Sequence, residues 1–138
     1  YITSAVRSRP YKWKEKRDRQ GKVEMKKYNR TPIMGEIIAH APILDYEIQQ
    51  VQAPIIVTLG NIGLQRLVGK TMKITDLHGQ VLQQPVLQIN EENSFEWSDN
   101  NYRIFPTFHP AAVFYNPKLR EIIENDQQIL KKWLSENT

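Results

Sequence analysis

The 138 residues are 40% hydrophobic and 25% charged, a composition typical of a globular protein, and no apolar run approaches the ~20 residues of a membrane span. Because there is no cysteine, these residues supply no disulfide, thiolate zinc site or thiolate-held iron–sulfur cluster, and the three histidines lack metal-ligand spacing. The length fits one domain, and we expect a cytoplasmic protein without a bound metal. The chain opens at Tyr1 with no secretory signal and no initiator methionine, so we expect a fragment of a longer protein.

The net charge of +4 is unevenly distributed along the chain. Residues 7–30 hold eleven of the 19 basic residues but only three of the 15 acidic ones, so this stretch carries +8 and the remainder −4. Such a concentration suits a segment that contacts phosphates, and it equally suits a solvated basic loop.

The first elements are predicted to be a strand and a long basic loop. Residues 1–6 alternate and are rich in β-formers, which favours a strand. Residues 7–31 lack apolar periodicity and contain Pro10 and Gly21, so we predict a loop that is functional or mobile. Three aromatic rings are interleaved with its positive charges, and they suit either stacking on bases or anchoring the loop to the core: Tyr11, Trp13 and Tyr28.

Helices and strands then alternate. A helix is predicted from Thr31-Pro32, with a kink or a fresh start at Pro42. The apolar run 55–60 is typical of a buried parallel strand. Residues 61–69 predict a short helix, with Asn61 as its cap.

The last third predicts a hairpin, a strand and a helix. The hairpin turns around residues 90–93, and strand 102–108 delivers His109 at its carboxyl end. The final helix follows Asn116-Pro117 and runs to about Leu134. Together the elements predict a three-layer α/β/α fold with a mostly parallel central sheet.

Three features follow predicted strands directly: residues 4–9, Gly60-Asn61 and His109. Ligands of open α/β sheets lie beyond the carboxyl ends of the strands, so we expect these features to face one crevice. His109 is then either a working residue or a turn histidine satisfied by backbone groups, whereas we expect His40 and His78 to be structural.

Six colinear stretches of the chain resemble the uracil-DNA glycosylase superfamily, in particular its family four. They span nearly the whole chain in order, and "PTFHPAA" is the most specific of them. The stretches are "YIT" followed by "V" and "RP" (1–10), "NRTP" with Glu36 (29–36), "IIVTLG" (55–60), "ITDLHG" (74–79), "PTFHPAAV" (106–113) and "NP" with Leu119 and Asp126.

The resemblance implies an enzyme that flips uracil out of DNA and hydrolyses its N-glycosidic bond. His109 would be its catalytic residue and would donate a hydrogen bond to uracil O2, a contact worth roughly 3 kcal/mol where negative charge develops. Ser4 occupies the position of the base-reading asparagine, and it is either a base-binding residue or a buried strand-end hydroxyl. The loop after His109 would enter the minor groove, and with the basic segment it completes the predicted DNA-binding set: Arg7, Arg9, Lys12, Lys14, Lys16, Arg17, Pro110, Ala111, Ala112, Val113 and Phe114.

The chain departs from the family pattern at several positions. A serine hydroxyl at position 4 cannot make the two-point contact of an amide, which affects uracil selectivity. Ser8 and His40 stand where the family has two of its four cluster cysteines, so no iron–sulfur cluster is expected. His78 and Tyr115 replace family arginines, which reduces phosphate contact on that side.

The family's Gly-rich motif with the water-orienting acid lies upstream of the resemblance and is absent from these residues. We therefore expect the chain to be the C-terminal part of the fold, inactive alone, with the N-terminal half or a second copy of the chain as partner. Two other interpretations stay open: a DNA-binding module that no longer cuts, and a glycosylase for another damaged base.

Overall fold

A computed structural model describes residues 1–6, 11–17, 19–29 and 32–137. The five strands are β1 (Tyr11–Arg17), β2 (Val23–Asn29), β3 (Ile56–Leu59), β4 (Leu82–Ile89) and β5 (Phe95–Thr107). The helices are α1 (Met34–Val51), α2 (Gly60–Val68), α3 (Ile74–Leu77) and α4 (Leu119–Asn137), with a 3-10 helix at Pro110–Phe114.

Strands β3, β5 and β4 form a mixed sheet in that order. β3 runs parallel to β5, with Ile56 beside Ile104, and β4 runs antiparallel to β5. The predicted hairpin around residues 90–93 is present, and the strand after Pro54 is parallel as predicted. That strand is not buried as expected, since Val57 and Leu59 are 41% and 45% exposed. The α/β class is confirmed, with one parallel and one antiparallel pair among the described strands.

Helices cover both faces of the central strand β5. Ile104 and Phe105 are consecutive, so they point to opposite faces, and both are 0% exposed. Ile104 packs in the main core with residues of α1 and α2, among them Leu44 and Leu64. Thr107 lies on the Phe105 face and donates a hydrogen bond to Asp126 of α4. The helices thus form two layers around the sheet, as predicted.

A buried ion pair fastens α1 and α2 to the end of strand β4. Arg66 of α2 contacts Asp45 of α1 at 2.5 Å, and it also donates to the carbonyl of Leu87 at 2.8 Å. The second carboxylate oxygen of Asp45 accepts from the backbone N–H of Ile89 at 2.8 Å. The guanidinium lies 4.8 Å from the centre of the Phe95 ring. Because both charges are paired and hydrogen-bonded, their burial is tolerated.

The prediction of a basic loop at 7–31 is wrong for its central part, which is a β-hairpin. β1 and β2 pair antiparallel from Tyr11 opposite Asn29 to Arg17 opposite Val23. They form a two-stranded sheet of their own, hereafter the ribbon (residues 11–29). Gly21 lies in the turn with a φ of +79°, which a glycine adopts without strain. Backbone pairing stabilises this segment although it lacks an apolar period.

Two local predictions near the strand ends are also wrong. Residues 1–4 are exposed. They form no strand, because no described strand pairs with them. Asn61 does not cap its own helix: α2 already begins at Gly60, and the Asn61 side chain accepts from the backbone N–H of Ile74 at 2.8 Å. Asn61 therefore secures the start of α3. Pro42 lies inside one continuous helix α1, so the helix does not restart there.

Candidate functional site

His109 is the first residue beyond the buried end of β5 that is exposed to solvent. The four residues Ile104 to Thr107 are buried and Phe108 is half-buried, whereas His109 is exposed. Its ring Nδ1 accepts a hydrogen bond from the backbone N–H of Ala111 at 3.1 Å. In the neutral ring an accepting Nδ1 requires that Nε2 carries the hydrogen. The backbone therefore fixes the ring so that Nε2–H is the donor left for a ligand.

The segment after His109 is a short, locally bonded loop that presents aromatic side chains. The His109 carbonyl accepts from the N–H of Ala112 at 2.9 Å, and the Ala112 carbonyl accepts from the N–H of Asn116 at 2.9 Å. Phe114 and Tyr115, at the end of this turn, are 88% and 91% exposed. A hydrogen-bonded turn that exposes two large rings is a surface suited to contact with a partner.

The end of strand β3 lies directly against His109. Gly60 has a φ of +80°, and a Cβ built on it would lie 3.5 Å from the Cβ of His109. The parallel pairing of β3 and β5 brings these carboxyl ends together. Of the three features predicted to face one crevice, Gly60 and His109 thus lie together at the carboxyl ends of the strands.

A buried carboxylate binds the end of β5 on the face of the sheet away from the main core. Asp126 of α4 is 3% exposed. It accepts a hydrogen bond from the Thr107 hydroxyl at 2.9 Å, and its oxygens lie 3.0 and 3.1 Å from Nδ1 of His78. Since an ionised carboxylate only accepts, Nδ1 of His78 donates. The His78 ring also lies 5.0 Å from the ring of Phe108, next to His109.

Gly79 lies against the Asp126 carboxylate and is hydrogen-bonded to β5. Its backbone N–H donates to the carbonyl of Pro106 in β5 at 2.9 Å. Its φ is +76°, and a Cβ at this position would lie 2.6 Å from an Asp126 oxygen. Sequence reasoning expected a structural His78 but missed its partner Asp126. The signal was a carboxylate at i+3 from the buried Ile123, on the inward side of a helix.

Ser4 is not joined to His109 by any described contact. Its hydroxyl donates to the carbonyl of Val6 at 2.9 Å and so stays within its own turn. The neighbouring hydroxyls of Tyr1 and Thr3 both bind the carboxylate of Glu47 in α1. The N-terminal residues are therefore fastened to α1, and Ser4 is exposed rather than a buried strand-end hydroxyl.

Four of the six predicted basic residues lie in the ribbon. Lys12, Lys14, Lys16 and Arg17 belong to β1. Arg7 and Arg9 lie outside the described residues, as does Ser8.

The chain's donor set does not fit an iron–sulfur cluster. It contains no cysteine, so no thiolate is available to hold iron. Within the described ranges, no group of three or more histidine and carboxylate side chains could hold a metal ion. Over the same ranges, no helix is long and apolar enough to cross a membrane.

Comparisons with known proteins agree with the motifs. The family model of the Uracil DNA glycosylase superfamily matches residues 1–135. A type-4 uracil-DNA glycosylase of Saccharolobus solfataricus is 34% identical over 109 residues, which are 78% of this chain and 46% of that protein. Another of that name, from Sulfurisphaera tokodaii, is 36% identical over 104 residues, which are 71% of this chain and 41% of that protein. The matched part of the chain covers less than half the length of these curated relatives.

Proposed function

The chain belongs to the uracil-DNA glycosylase superfamily, and we propose that it is part of a DNA repair glycosylase that excises uracil, or a related deaminated base. The observation that carries this proposal is His109: an exposed imidazole at a strand end, with Nδ1 bonded to the backbone and Nε2 available as a donor. A fixed donor of this kind stabilises an anion that develops within its reach.

The proposed reaction is hydrolysis of the bond between the base nitrogen and C1′ of the sugar. The flipped base takes the bonding electrons and leaves as an anion, with Nε2–H of His109 bonded to its O2. A water oxygen adds to C1′ and gives up a proton. The group that orients this water belongs to polypeptide outside these residues. His109 alone supplies only the leaving-group half of the chemistry.

Replacement of His109 tests this role. In the full-length protein, His109→Ala should reduce excision of uracil from single-stranded DNA by roughly 10²–10³-fold, the loss expected for one donor at a developing anion. The rate of uracil release is the measurement. His40→Ala, in α1, is the matched histidine control and should retain excision. Undiminished excision by His109→Ala would remove His109 from the mechanism.

We propose DNA contacts at two places on the chain. The turn after His109 enters the minor groove and holds an unstacked step open with apolar side chains. This proposal is supported by the exposure of Phe114 at the tip of a bonded turn. The basic residues of segment 7–30 contact phosphates, which is supported by the +8 charge of that segment. A cytoplasmic location remains a prediction from composition alone.

The proposed partner within the protein is additional polypeptide that pairs with strand β3. Among the described strands β3 has only one neighbour, so its other edge is unpaired. On the face away from the main core, Val57 and Leu59 are 41% and 45% exposed. The strand carries no lysine, proline or bulge, the usual protections of an exposed edge. The relatives are more than twice as long as their matched segments, and we assign the edge to this extra length.

Ser4 favours a second candidate function, a DNA-binding module that does not cut. Its hydroxyl is occupied by its own turn and offers no amide to read a base edge. A gel shift beside an excision assay on uracil-containing oligonucleotides separates the two functions: binding without base release by the intact protein would establish the module. If the pocket is instead relaxed toward other bases, oligonucleotides that contain hypoxanthine or xanthine should be cut.

A further inference from the structure

A cleft of about 590 Å³ lies beside β5, away from His109. One wall is formed by residues at and just after the end of α1, between positions 48 and 54, and the other by residues 100–103 of β5 with Gln83 of β4. It is hereafter the amide cleft, because half of its ten lining residues carry carboxamides: Gln49, Gln52, Gln83, Asn100 and Asn101. Strands rise about 3.3 Å per residue, so Arg103 lies roughly 20 Å before His109 along the chain, and the cleft is separate from the candidate site.

The amide cleft follows an edge of β5 rather than one face of the sheet. Four consecutive residues of the strand, 100–103, line it. Successive side chains of a strand point to opposite faces, so a cavity over one face would be lined by alternate residues. A continuous run is expected where a cavity follows the edge of the strand, and there the backbone N–H and C=O groups face the ligand.

This edge of β5 has no neighbour among the described strands. β3 pairs with β5 only from Ile104 to Thr107, whereas β4 pairs along the opposite edge. Ala53 and Pro54, which precede β3, lie on the other wall of the cleft. The cleft is therefore the gap between β5 and the chain that leads into β3. Unpaired backbone groups along a strand can bind another extended chain, as in β-strand addition.

The charge in the amide cleft favours an acidic ligand. Arg103 is the only charged residue among the described residues that line it. The guanidinium lies 5.7 Å from the centre of the Trp133 ring in α4, and it has no acidic partner among the described residues. The ring orients the guanidinium, whose N–H groups lie in its plane and match a carboxylate. A single cation contributes little to binding a nucleic acid, whose affinity requires several phosphate contacts.

We propose that the amide cleft binds an extended, acidic segment of a partner protein. The segment pairs with residues 100–103 of β5 as an added strand, and one of its carboxylates contacts Arg103. The carboxamides hydrogen-bond its polar groups, since an amide both donates and accepts. The inference does not depend on the proposed function, because the cleft lies away from His109 and takes no part in excision.

Charge reversal at Arg103 tests the choice of partner. The intact protein selects heptapeptides from a random displayed library, and the affinity of the labelled peptides is measured by fluorescence anisotropy. Peptides that bind the wild type should share an acidic residue at one position, whereas Arg103→Glu should select a basic residue there. Arg103→Gln should bind the acidic peptides roughly fivefold more weakly, the upper value for an exposed ion pair. Arg120→Glu, at an exposed arginine of α4, is the matched control and should bind as the wild type does.

N-methylation of the selected peptides tests the strand pairing. Methylation of an amide that pairs with β5 should weaken binding roughly tenfold, because a backbone group of β5 then loses its partner. Methylation of the next amide, which points away from β5, should have little effect. Backbone amides within residues 100–103 should also exchange more slowly with solvent when the peptide is bound.

Four results would overturn the proposal. One is a selection that yields no peptide whose affinity depends on Arg103. Another is a uniform response to methylation along the peptide, which would exclude strand pairing. The third is a greater loss of affinity for a labelled single-stranded oligonucleotide than for the peptides in Arg103→Glu, which would make the cleft part of a DNA surface. The fourth is binding of the peptides by the 138-residue chain and not by the full-length protein, which would assign the cleft to the protein's own additional polypeptide.

The melting temperature of Arg103→Glu shows whether the variant is folded, and it should match that of the wild type because Arg103 is exposed. No uracil is present in the peptide assays, so a failure of excision does not affect their outcomes.

Discussion

Asp126 connects three separate parts of the chain at the base of the candidate site. It accepts hydrogen bonds from His78, after α3, and from Thr107, at the end of β5. One of its oxygens also lies where a side chain at position 79 would be. Its burial is tolerated because both oxygens have partners. His109 lies two residues beyond Thr107, so the position of its backbone depends on this carboxylate.

A double-mutant cycle should reveal the contact between Gly79 and Asp126. Gly79→Ala imposes a positive φ on a residue with a Cβ, at about 1–2 kcal/mol, and adds a clash with the carboxylate. Asp126→Ala leaves the Thr107 hydroxyl and His78 without their acceptor, at about 2–4 kcal/mol. The double variant should be less destabilised than the sum, because the clash disappears with the carboxylate. Chemical denaturation of the four proteins gives the free energies of unfolding.

Gly35→Ala is the control for this cycle. Gly35 lies in the first turn of α1, and nothing within 4 Å would meet its Cβ. Alanine there should raise the free energy of unfolding by about 0.5–1 kcal/mol. Strict additivity of the Gly79 and Asp126 effects would show that the carboxylate does not restrict position 79.

At the scale of elements, the turn that follows β5 should matter only when a duplex has to be opened. Phe114→Ala should leave the melting temperature unchanged, because the ring is 88% exposed. In the full-length protein it should reduce uracil excision from duplex DNA several-fold more than from single-stranded DNA, which has no base pair to disrupt. Tyr46→Ala, at an exposed aromatic of α1, is the control and should affect both substrates equally. An equal loss on both substrates for Phe114→Ala would exclude a wedge.

At the scale of the whole molecule, the effect of a charge introduced in β3 should depend on whether the additional polypeptide is present. In the 138-residue chain, Val57→Lys should change the free energy of unfolding by no more than about 0.5 kcal/mol, because the side chain is 41% exposed. In the full-length protein it should cost about 2 kcal/mol or more, because an unpaired charge would be buried under the added polypeptide. Thermal unfolding of both lengths is the measurement.

Val23→Lys, at an exposed valine of the ribbon, is the control and should behave alike in both lengths. If Val57→Lys has the same small effect in both lengths, the added polypeptide does not cover β3. If the 138-residue chain is a dimer that Val57→Lys dissociates, as light scattering would reveal, the edge belongs to a second copy.

The parts of the fold that the sequence predicted are those with an apolar pattern and clear boundaries. The run 55–60 lies between Pro54 and the helix at Asn61, and His109 follows an apolar strand that ends before Pro110. The ribbon escaped prediction because backbone pairing forms it, while its lysines obscure the alternation. Residues 1–6 have the alternation but no described strand partner. Asp126 and Asn61 act on residues far along the chain, which local patterns do not reveal.

Asp126 binds residues that lie far before it in the sequence, and this also determines when the site can form during synthesis. His78 and Thr107 precede it by 48 and 19 residues, so a ribosome completes α3 and β5 well before their shared anchor exists. Until α4 emerges and docks, the Thr107 hydroxyl and the His78 ring lack their acceptor, and the segment before His109 lacks its anchor on α4. Premature termination within α4 would therefore leave a chain whose strands are complete but whose segment before His109 lacks its carboxylate anchor.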